Sequence, residues 1–286
     1  MTITITTSNV NGIRAAKRKG IEQWAAKNTP DVWCMQEVRA PQNEIDPIFD
    51  EFGFEYATAG RIADQSGLDR MNEICRIKGR AGVGLLSALP VIDKRYGLPG
   101  LAEDVDSGRW IEADVKTSQG YTVTVVCVYV HAGNTDDPEK MKQKYRFLDT
   151  MLVRMGQLRD EAAHGGKQAV LCGDFNIAHT PLDIKNAKAN EKHAGFLPEE
   201  RTYVDKWLGE LEFVDVMRSL CGDIQGPYTW WSQRGRAFDN NVGWRIDYQF
   251  ATPELAETAR GFVIDKAPTY DLRWSDHAPL SITYDV

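Results

Sequence analysis

The sequence predicts an α/β protein of the α+β type, a four-layer α-β-β-α sandwich in which two mixed sheets pack face to face between outer helices. A strand, a helix and an apolar strand that ends in an acid occur twice, at 1–37 and 121–174. The 286 residues are 42% hydrophobic, which is enough for a sizeable core. Because no low-complexity linker divides them, we expect a single domain over 1–286.

Hydrophobic periodicity defines the elements of the first half. Period-two and continuous apolar patterns predict strands, and a period of 3.6 predicts helices. The strands fall at 1–8, 31–37, 81–87 and 110–116, and the helices at 18–28 and 43–51. The stretch 61–80 is the least patterned part of the chain, and we interpret it as a surface insertion.

The second half repeats this order and then extends it. Its strands are predicted at 121–130, 168–174, 246–250 and 278–284, and its helices at 138–163 and 199–211. The helix at 138–163 is the longest amphipathic one, because apolar residues recur there at three- and four-residue spacing. A Trp- and Gly-rich loop occupies 226–245.

Composition argues against several classes of protein. No apolar run approaches the ~20 residues of a membrane span. The alternating N-terminus lacks the basic and apolar regions of a signal peptide. The five cysteines show no CxxC spacing, and three lie in apolar strands, which indicates buried reduced thiols. We therefore expect a monomer that does not associate with membranes and is cytoplasmic, or nucleoid-associated if prokaryotic.

The net charge of −7 argues against a nucleic-acid partner by the usual rule. Binding, however, needs only a local basic face. Basic clusters occur at 14–19, 76–80 and 234–236, and Arg14 and Arg234 are the candidate contacts to a phosphate backbone. Solvated surface is the alternative for these clusters, and without other observations it is the favoured one.

The most informative stretch, Gly173-Asp174-Phe175-Asn176, ends an apolar strand. Asp174 and Asn176 alternate, so in extended backbone both side chains leave on the same face. A lone buried carboxylate is costly, which favours a functional site. Gly, Asp and Asn are equally typical of a turn, and the stretch alone does not decide between the two. In the sandwich, Glu37 and Asp174 are expected to meet at one end.

Polar side chains follow the ends of several other strands, and each alone has a plain structural explanation. Asn after a strand is typical of a turn, Glu of a helix cap and Tyr of packing. Ser275-Asp276-His277 does not form a protease triad, because adjacent residues on an extended segment point apart. The full set is Asn9, Asn11, Glu37, Tyr129, His131, Asp174, Asn176, Asp247, Asp276 and His277.

Together these residues have a chemical logic. Carboxylates and amides with one or two histidines form a hard-oxygen ligand set, which suits Mg²⁺ or Mn²⁺ rather than zinc. Cutting a phosphodiester with water also needs a base, donors for the phosphorane and charge relief on the leaving oxygen. Asp174 is the candidate base, Asn176 and His277 are the donors, and a metal on Glu37 is the charge sink. Asp247 is the expected partner of His277, since a carboxylate keeps the imidazole charged.

In this order, the motifs resemble those of the exonuclease III family of apurinic/apyrimidinic endonucleases, within the endonuclease/exonuclease/phosphatase superfamily. The similarity runs from Asn9-Val-Asn-Gly-Ile-Arg-Ala to Ser-Asp-His-Ala-Pro279. It includes Gln-Glu-Val, Gly-Val-Gly-Leu-Leu-Ser, Gly-Asp-Phe-Asn-Ile, Leu-Pro-Glu-Glu-Arg and Arg-Ile-Asp. The resemblance implies a Mg²⁺-dependent DNA-repair hydrolase, with Mn²⁺ as a substitute, that cuts double-stranded DNA 5′ to abasic sites and trims 3′ ends.

The resemblance also implies a role for each residue. The positions at or near the metal are Asn9, Asn11, Glu37 and Asp276, together with Asp174, Asn176 and His277. The catalytic positions are Tyr129, Asp174 as the base, Asn176 as the transition-state stabiliser, and the pair Asp247 and His277. Trp230 and Trp244 match positions that wall a pocket for a flipped-out abasic sugar, a small apolar ring that packs on aromatic side chains.

Two features depart from the family pattern. His131-Ala132-Gly133 stands where relatives often carry Pro and then Asn or Gln. His131 is similar instead to the second catalytic histidine of pancreatic-type deoxyribonucleases, and strand alternation predicts that it shares the side of Tyr129, within reach of phosphate. The insertion at 61–80 has no counterpart in shorter relatives. Its Arg76, Lys78 and Arg80 either contact the DNA backbone or are solvated.

Two other functions remain open on the sequence. Inositol-phosphate phosphatases and sphingomyelinases share the Glu, Asp-x-Asn and Asp-His motifs, but Tyr129, Trp230 and Trp244 argue against them. A DNA-binding module with an inactive site is the non-enzyme alternative. It is disfavoured because every expected ligand position carries a chemically competent residue.

Overall fold

The computed structural model describes residues 2–40, 69–73, 81–101 and 108–286. The predicted helix at 43–51 and the basic residues Arg76, Lys78 and Arg80 lie outside these ranges. Within the predicted insertion, Asp69–Glu73 forms a strand that pairs antiparallel with Val83–Ser87. The remainder of the insertion lies outside the described residues.

The strands in chain order are β1 Thr2–Asn9, β2 Val32–Gln36, β3 Asp69–Glu73, β4 Val83–Ser87, β5 Val91–Tyr96, β6 Trp110–Lys116, β7 Thr122–Tyr129, β8 Gln168–Asp174, β9 Val214–Asp215, β10 Trp230–Trp231, β11 Gly243–Trp244, β12 Asp247–Ala251, β13 Ala259–Ile264 and β14 Leu280–Asp285. The helices are α1 Ile13–Arg18, α2 Ile21–Asn28, α3 Pro138–Ala163, α4 Ala187–Asn190, α5 Pro198–Gly209, α6 Val216–Cys221 and α7 Pro253–Ala256, with 3₁₀ turns at Pro181–Asp183 and Tyr270–Leu272.

Twelve of these strands form two mixed sheets. The first sheet has the order β13-β14-β1-β2-β4-β3 and the second β5-β6-β7-β8-β12-β9. In each sheet one central pair is parallel, β1 with β2 and β7 with β8. The two strands of each parallel pair therefore end at the same edge of their sheet. This matches the repeated strand, helix and strand pattern that the sequence predicts.

Three separate apolar layers hold the sandwich together. Between the sheets, side chains such as Ile5 and Cys34 meet Val125 and Cys172. On the outer face of the second sheet, Phe147 and Met151 of α3 and Trp207 of α5 pack with Leu171 and Phe250. On the outer face of the first sheet, Ile13 and Ile21 pack with Trp33 and Met35. The predicted four-layer α-β-β-α sandwich is confirmed.

The long helix α3 follows its sequence signals at both ends. The side chain of Asp137 accepts a hydrogen bond from the backbone N–H of Lys140, and Pro138 occupies the first turn, where its missing N–H is harmless. The predicted range 138–163 agrees with the observed helix. The predicted helix at 18–28 is confirmed as α2, Ile21–Asn28, whereas α1, Ile13–Arg18, was not predicted. Gly20, in a left-handed conformation with φ 100°, separates the two helices.

The expectation of buried thiols holds for three cysteines among the described residues. Cys34, Cys127 and Cys172 are buried as free thiols. Among the helices described, none is both long enough and apolar enough to cross a membrane.

Candidate active site

A cavity of about 480 Å³ opens where the parallel strands of both sheets end. The first sheet contributes Glu37 after β2, and the second contributes Asp174 at the end of β8. The expectation that these two carboxylates meet at one end of the sandwich is confirmed. Of the predicted residues, the lining includes Asn11, Glu37, Tyr129, Asp174, Asn176, Trp230, Trp244, Asp276 and His277.

Asp174 is 1% exposed and accepts two hydrogen bonds. The Asn9 amide donates to its Oδ2 at 2.9 Å, and the backbone N–H of Asn176 donates to its Oδ1 at 2.9 Å. Burial raises the pKa of Asp174 to about 7, and the nearby charges of Asp247 and Glu37 act in the same direction, against the lowering effect of His277. A carboxylate with such a pKa can accept a proton near neutral pH.

His277 lies between two carboxylates. Its Nδ1 is 2.9 Å from Oδ2 of Asp247, and its Nε2 is 3.8 Å from Oδ2 of Asp174. Burial opposes the charged imidazole, but Asp247 and Asp174 outweigh it and raise the pKa of His277 to about 10. The imidazole is therefore a cation at neutral pH, with an N–H directed toward Asp174. Asp247 is held in turn by Thr229, whose hydroxyl accepts the Asp247 backbone N–H at 3.2 Å.

Glu37 and Tyr129 join the two sheets directly. The Tyr129 hydroxyl donates to Oε1 of Glu37 at 2.5 Å. Burial and the carboxylates of Glu37 and Asp174 raise the pKa of Tyr129, so the phenol keeps its proton. Tyr129 is therefore a donor in this site and does not act as a base at neutral pH.

Arg39, which the sequence analysis missed, connects the polar groups of the first sheet. Its guanidinium pairs with Glu37 and donates to Oδ1 of Asn11 at 2.8 Å. The Asn11 amide donates to Oδ1 of Asp276 at 2.7 Å, and the indole of Trp230 donates to the other oxygen of Asp276 at 3.2 Å. Strand β2 ends at Gln36, and Glu37 and Arg39 both have positive φ angles, so strand alternation gave no signal for Arg39.

The backbone at the site is conformationally unusual. Asn11, Glu37, Arg39 and Asn176 all have positive φ angles, between 46° and 54°. Residues with a side chain adopt this left-handed region at a cost, and such residues cluster at functional sites. Asn176 is held there by its own amide, which donates to the carbonyl of Val130 at 3.0 Å. Gly-Asp-Phe-Asn is thus both a strand end and a turn.

Two tryptophans form one wall of the cavity. Trp230 and Trp244 pair directly across the short hairpin β10–β11, and their rings meet edge to face with centroids 6.0 Å apart. Trp244 also lies against Gly195, where an added Cβ would approach its ring to 3.1 Å. The wall is therefore tightly packed and leaves an aromatic surface facing the carboxylates.

Five predicted residues, Asn9, Arg14, His131, Arg234 and Asp247, do not line the cavity. Asn9 bonds to the lining residue Asp174, and Asp247 bonds to the lining residue His277. Arg14 on α1 and Arg234 in the loop before β11 are exposed, and neither lines the cavity. The prediction that His131 shares the side of Tyr129 is wrong. Strand β7 ends at Tyr129, so alternation no longer applies, and the ring of His131 packs 5.6 Å from Phe147 on the helix side. Burial, with Arg109 and Lys144 nearby, lowers its pKa to about 3.

The donors of the site fit a hard divalent cation. Glu37, Asp276 and Asn11 offer oxygen atoms, and the described residues around them include no thiol ligand. The oxygens of Glu37 and Asn11 already converge on a positive group, the guanidinium of Arg39. A further cluster, Asp174, Asp247 and His277, has ligand atoms within 4.8 Å of one another. Its two carboxylates could also hold a cation, whereas the imidazole has no lone pair to offer one while it is charged.

The chain matches the profile described as Endonuclease/Exonuclease/phosphatase family over residues 6–277. It is 29% identical to the exodeoxyribonuclease of Bacillus subtilis (strain 168), over 97% of this chain and 98% of that protein. It is 30% identical to the DNA-(apurinic or apyrimidinic site) endonuclease of Dictyostelium discoideum, over 97% of this chain and 69% of that protein. Its fold is similar to that of an AP endonuclease from Archaeoglobus fulgidus, with a TM-score of 0.81, 30% identity and coverage of 99% of this chain and all of that one.

Proposed function

This chain belongs to the endonuclease/exonuclease/phosphatase family and is a hydrolytic nuclease, and on that premise we propose that it repairs DNA by cutting the phosphodiester 5′ to an abasic site. We infer that trimming of 3′ ends is its second activity, in line with a relative named exodeoxyribonuclease and a protein of similar fold named a 3′-5′ exonuclease. The observation that carries the proposal is one buried carboxylate, Asp174, which lies between a protonated imidazole and a cavity walled by two tryptophans.

Asp174 is the general base of the proposed reaction. Its pKa of about 7 lets it take a proton from a water molecule at neutral pH, and the water then attacks phosphorus in one step. The Asn9 amide and the Asn176 backbone N–H hold its two oxygens, so the carboxylate keeps a fixed orientation. A general base held in this way gains from pre-organised geometry.

Donors around Asp174 would stabilise the negative charge that builds up on phosphorus. His277, kept charged by Asp247, lines the cavity with its Nε2 3.8 Å from Asp174. The Asn176 amide uses one N–H on Val130 and has a second to offer, whereas the Tyr129 hydroxyl, which does not ionise, would first have to release Glu37. In many enzymes such pre-organised donors account for more of the rate enhancement than any other effect.

Glu37 and Asp276, with Asn11 and Asn9 beside them, are the residues that would hold Mg²⁺, or Mn²⁺ in its place. When bound, the ion supplies charge neutralisation at the leaving oxygen. Arg39 contacts both Glu37 and Asn11 and would have to release their oxygens to the ion. His277 is assigned to phosphate rather than to the metal, because its ring is charged.

Trp230 and Trp244 are proposed to receive the abasic sugar. A deoxyribose without its base is a small, largely apolar ring, and an aromatic wall of this size packs well against it. An intact nucleotide is larger and must also be unstacked from its neighbours, at a cost of a few kcal/mol. The pocket would therefore select the damaged site by shape.

The decisive experiment is cleavage of three duplexes that carry an abasic site, a nick or no damage, with Mg²⁺ and with a chelator. We expect incision 5′ to the abasic site with Mg²⁺, slow trimming from the nick and little cutting of intact DNA. Full activity in chelator would overturn the metal assignment. Absence of cleavage on all three duplexes, with activity on a small phosphomonoester or phospholipid, would refute the proposed repair activity.

A further inference from the structure

Helix α3 carries a lysine that is completely buried. Lys144 is 0% exposed, and its Nζ lies 2.5 Å from Oε1 of Glu200 on α5, which is also 0% exposed. A buried ion pair is costly to desolvate, and well-packed apolar side chains of similar volume often give equal or greater stability. The pair therefore needs a reason other than stability.

Every further bond of this pair goes to backbone at or beside the active-site cavity. The Lys144 ammonium donates to the carbonyl of Asn176 at 2.9 Å and to that of Ala132 at 3.2 Å. The second oxygen of Glu200 accepts the backbone N–H of Gly195 at 2.6 Å and that of Leu197 at 3.0 Å. Three separate segments around the cavity are thus tied to a single point behind the site.

The backbone groups that this ion pair holds have little conformational freedom. Asn176 is in the left-handed region, with φ 50°, and its carbonyl is the Lys144 acceptor. An added Cβ at Gly195 would lie 3.1 Å from that same carbonyl and 3.1 Å from the ring of Trp244. The carbonyl of Gly195 accepts the backbone N–H of Ala178 at 2.8 Å. Movement at Asn176 would therefore reach both the phosphate donor and the tryptophan wall.

We propose that Lys144 is a positioning residue for the reaction inferred above: its ammonium fixes the Asn176 carbonyl, and thereby the amide next to Asp174 and the wall formed by Gly195 and Trp244. Glu200 serves as its counter-ion and holds the Gly195 loop to the same point. The inference rests on the proposed function, since the positioned groups are those assigned to phosphate and sugar. Apolar residues at 144 and 200 would fill the volume but offer no donor to Asn176.

The test compares Glu200→Gln with the double variant K144M/E200Q. Both lack the ion pair, and in both the side-chain amide introduced at position 200 still offers an oxygen to Gly195 and Leu197. Only the first keeps a donor for Asn176. We expect kcat on the abasic duplex to be about 10²-fold lower in the double variant than in E200Q, as for a misplacement of about 1 Å. The Kd for uncleaved duplex, measured with chelator, should be similar in the two.

The matched control is E139Q/K142M on the same helix, where the exposed Lys142 pairs with the exposed Glu139. Its kcat should equal that of the wild type. Equal kcat values for K144M/E200Q and E200Q, with an active wild type, would overturn the positioning role. An inactive wild type would instead overturn the proposed function, so the two failures are distinct.

A measurement on the wild type covers the case in which either variant fails to fold. In protein labelled with ¹⁵N-lysine, the Lys144 ammonium protons should exchange slowly with water, because the ammonium and the carboxylate it pairs with are both fully buried. The exposed Lys142 gives the fast-exchange reference. If the Lys144 ammonium protons exchange as fast as those of Lys142, the buried ion pair does not persist in solution and the inference is overturned.

Discussion

Asp247 lies directly opposite Asp174 in the antiparallel pair formed by β8 and β12. Two carboxylates at facing positions would repel each other. The His277 imidazole relieves this repulsion, with one nitrogen 2.9 Å from Asp247 and the other 3.8 Å from Asp174. The strand register therefore sets the charge balance of the site, and the site's behaviour with pH follows from it.

Asp174→Asn is expected to abolish most cleavage while DNA binding survives. Asn cannot take a proton from water, and loss of a general base typically costs about 10²- to 10⁴-fold in rate. The measurement is single-turnover cleavage of an abasic duplex, with the Kd taken in chelator. Near-normal turnover by this variant would remove Asp174 as the base.

The same variant gives an independent stability readout. The pKa of Asp174 is raised from 3.8 to about 7, so its contribution to stability is present below 3.8 and is lost as the pH rises through 7. Asn stays neutral throughout. We therefore expect the Tm of Asp174→Asn to exceed that of the wild type at pH 8 by more than at pH 5, provided no metal is added.

The profile of kcat/KM against pH is expected to be bell-shaped. Below about pH 7 Asp174 is protonated, and above about pH 10 His277 loses its charge. The apparent values belong to the coupled pair rather than to either residue. A profile of kcat/KM against pH at fixed metal concentration provides the check.

The Asp247→Asn variant tests whether Asp174 and His277 titrate in the acidic and alkaline limbs of this pH profile. Asp247 raises the pKa of both His277 and Asp174, so its removal should move both limbs to lower pH. An alkaline limb that stays in place would exclude His277 as the group that titrates there.

Trp244→Ala is expected to weaken selection of the abasic site. Loss of an aromatic wall should cost about 1–3 kcal/mol of binding, comparable to removal of a base-stacking side chain. The ratio of kcat/KM values for abasic and nicked duplexes is the measure, and it should fall. Trp24→Ala, outside the cavity, is the matched control. An equal drop in both variants would point to general destabilisation.

Glu112→Gln should reduce stability without a direct effect on the site. Glu112 is fully buried, and it accepts from Arg154 at 2.8 Å, from Arg95 at 2.7 Å and from the Trp110 indole at 3.0 Å. Removing one partner of a buried ion pair typically costs about 3–5 kcal/mol in the free energy of unfolding. Urea denaturation at pH 7 measures this change.

The pH dependence of that loss provides its control. Burial raises the pKa of Glu112, but Arg154 and Arg95 outweigh it and lower the pKa from 4.5. Its contribution is therefore present above pH 4.5 and is lost as the pH falls through the lowered value. The difference between variant and wild type should shrink in acid. Glu139→Gln, at an exposed pair, should show no measurable loss at either pH.

The sequence predicted the site residues that follow the ends of strands. Glu37, Tyr129 and Asp174 end apolar strands, and a parallel pair brings such ends together, so local pattern predicted where they lie but not what they do. Their roles came from the chemistry of the whole set and, for Tyr129, only from the resemblance to the family. The pairing of His277 with Asp247 was also predicted, from chemistry. His131 was misplaced because the alternation rule was extended two residues beyond the end of β7.

Lys144 could not be predicted from local pattern. Its place on the apolar face of the helix, beside the buried Met141 and Leu148, indicates burial, but a buried charge needs a counter-ion, and Glu200 lies on another helix. Short or irregular elements such as β5, β9 and β13 were missed for a related reason. They are edge strands, and their form depends on the partner strand rather than on their own periodicity.

The cavity is lined by Glu37 from one sheet and by Tyr129 and Asp174 from the other. The packed side chains between the sheets keep these two groups in alignment, and they include the thiols of Cys34, Cys127 and Cys172. Turnover is therefore a sensitive gauge of sheet-to-sheet alignment. A bulkier residue at Cys127 would shift one half of the site against the other, and the loss of activity would precede any loss of the fold.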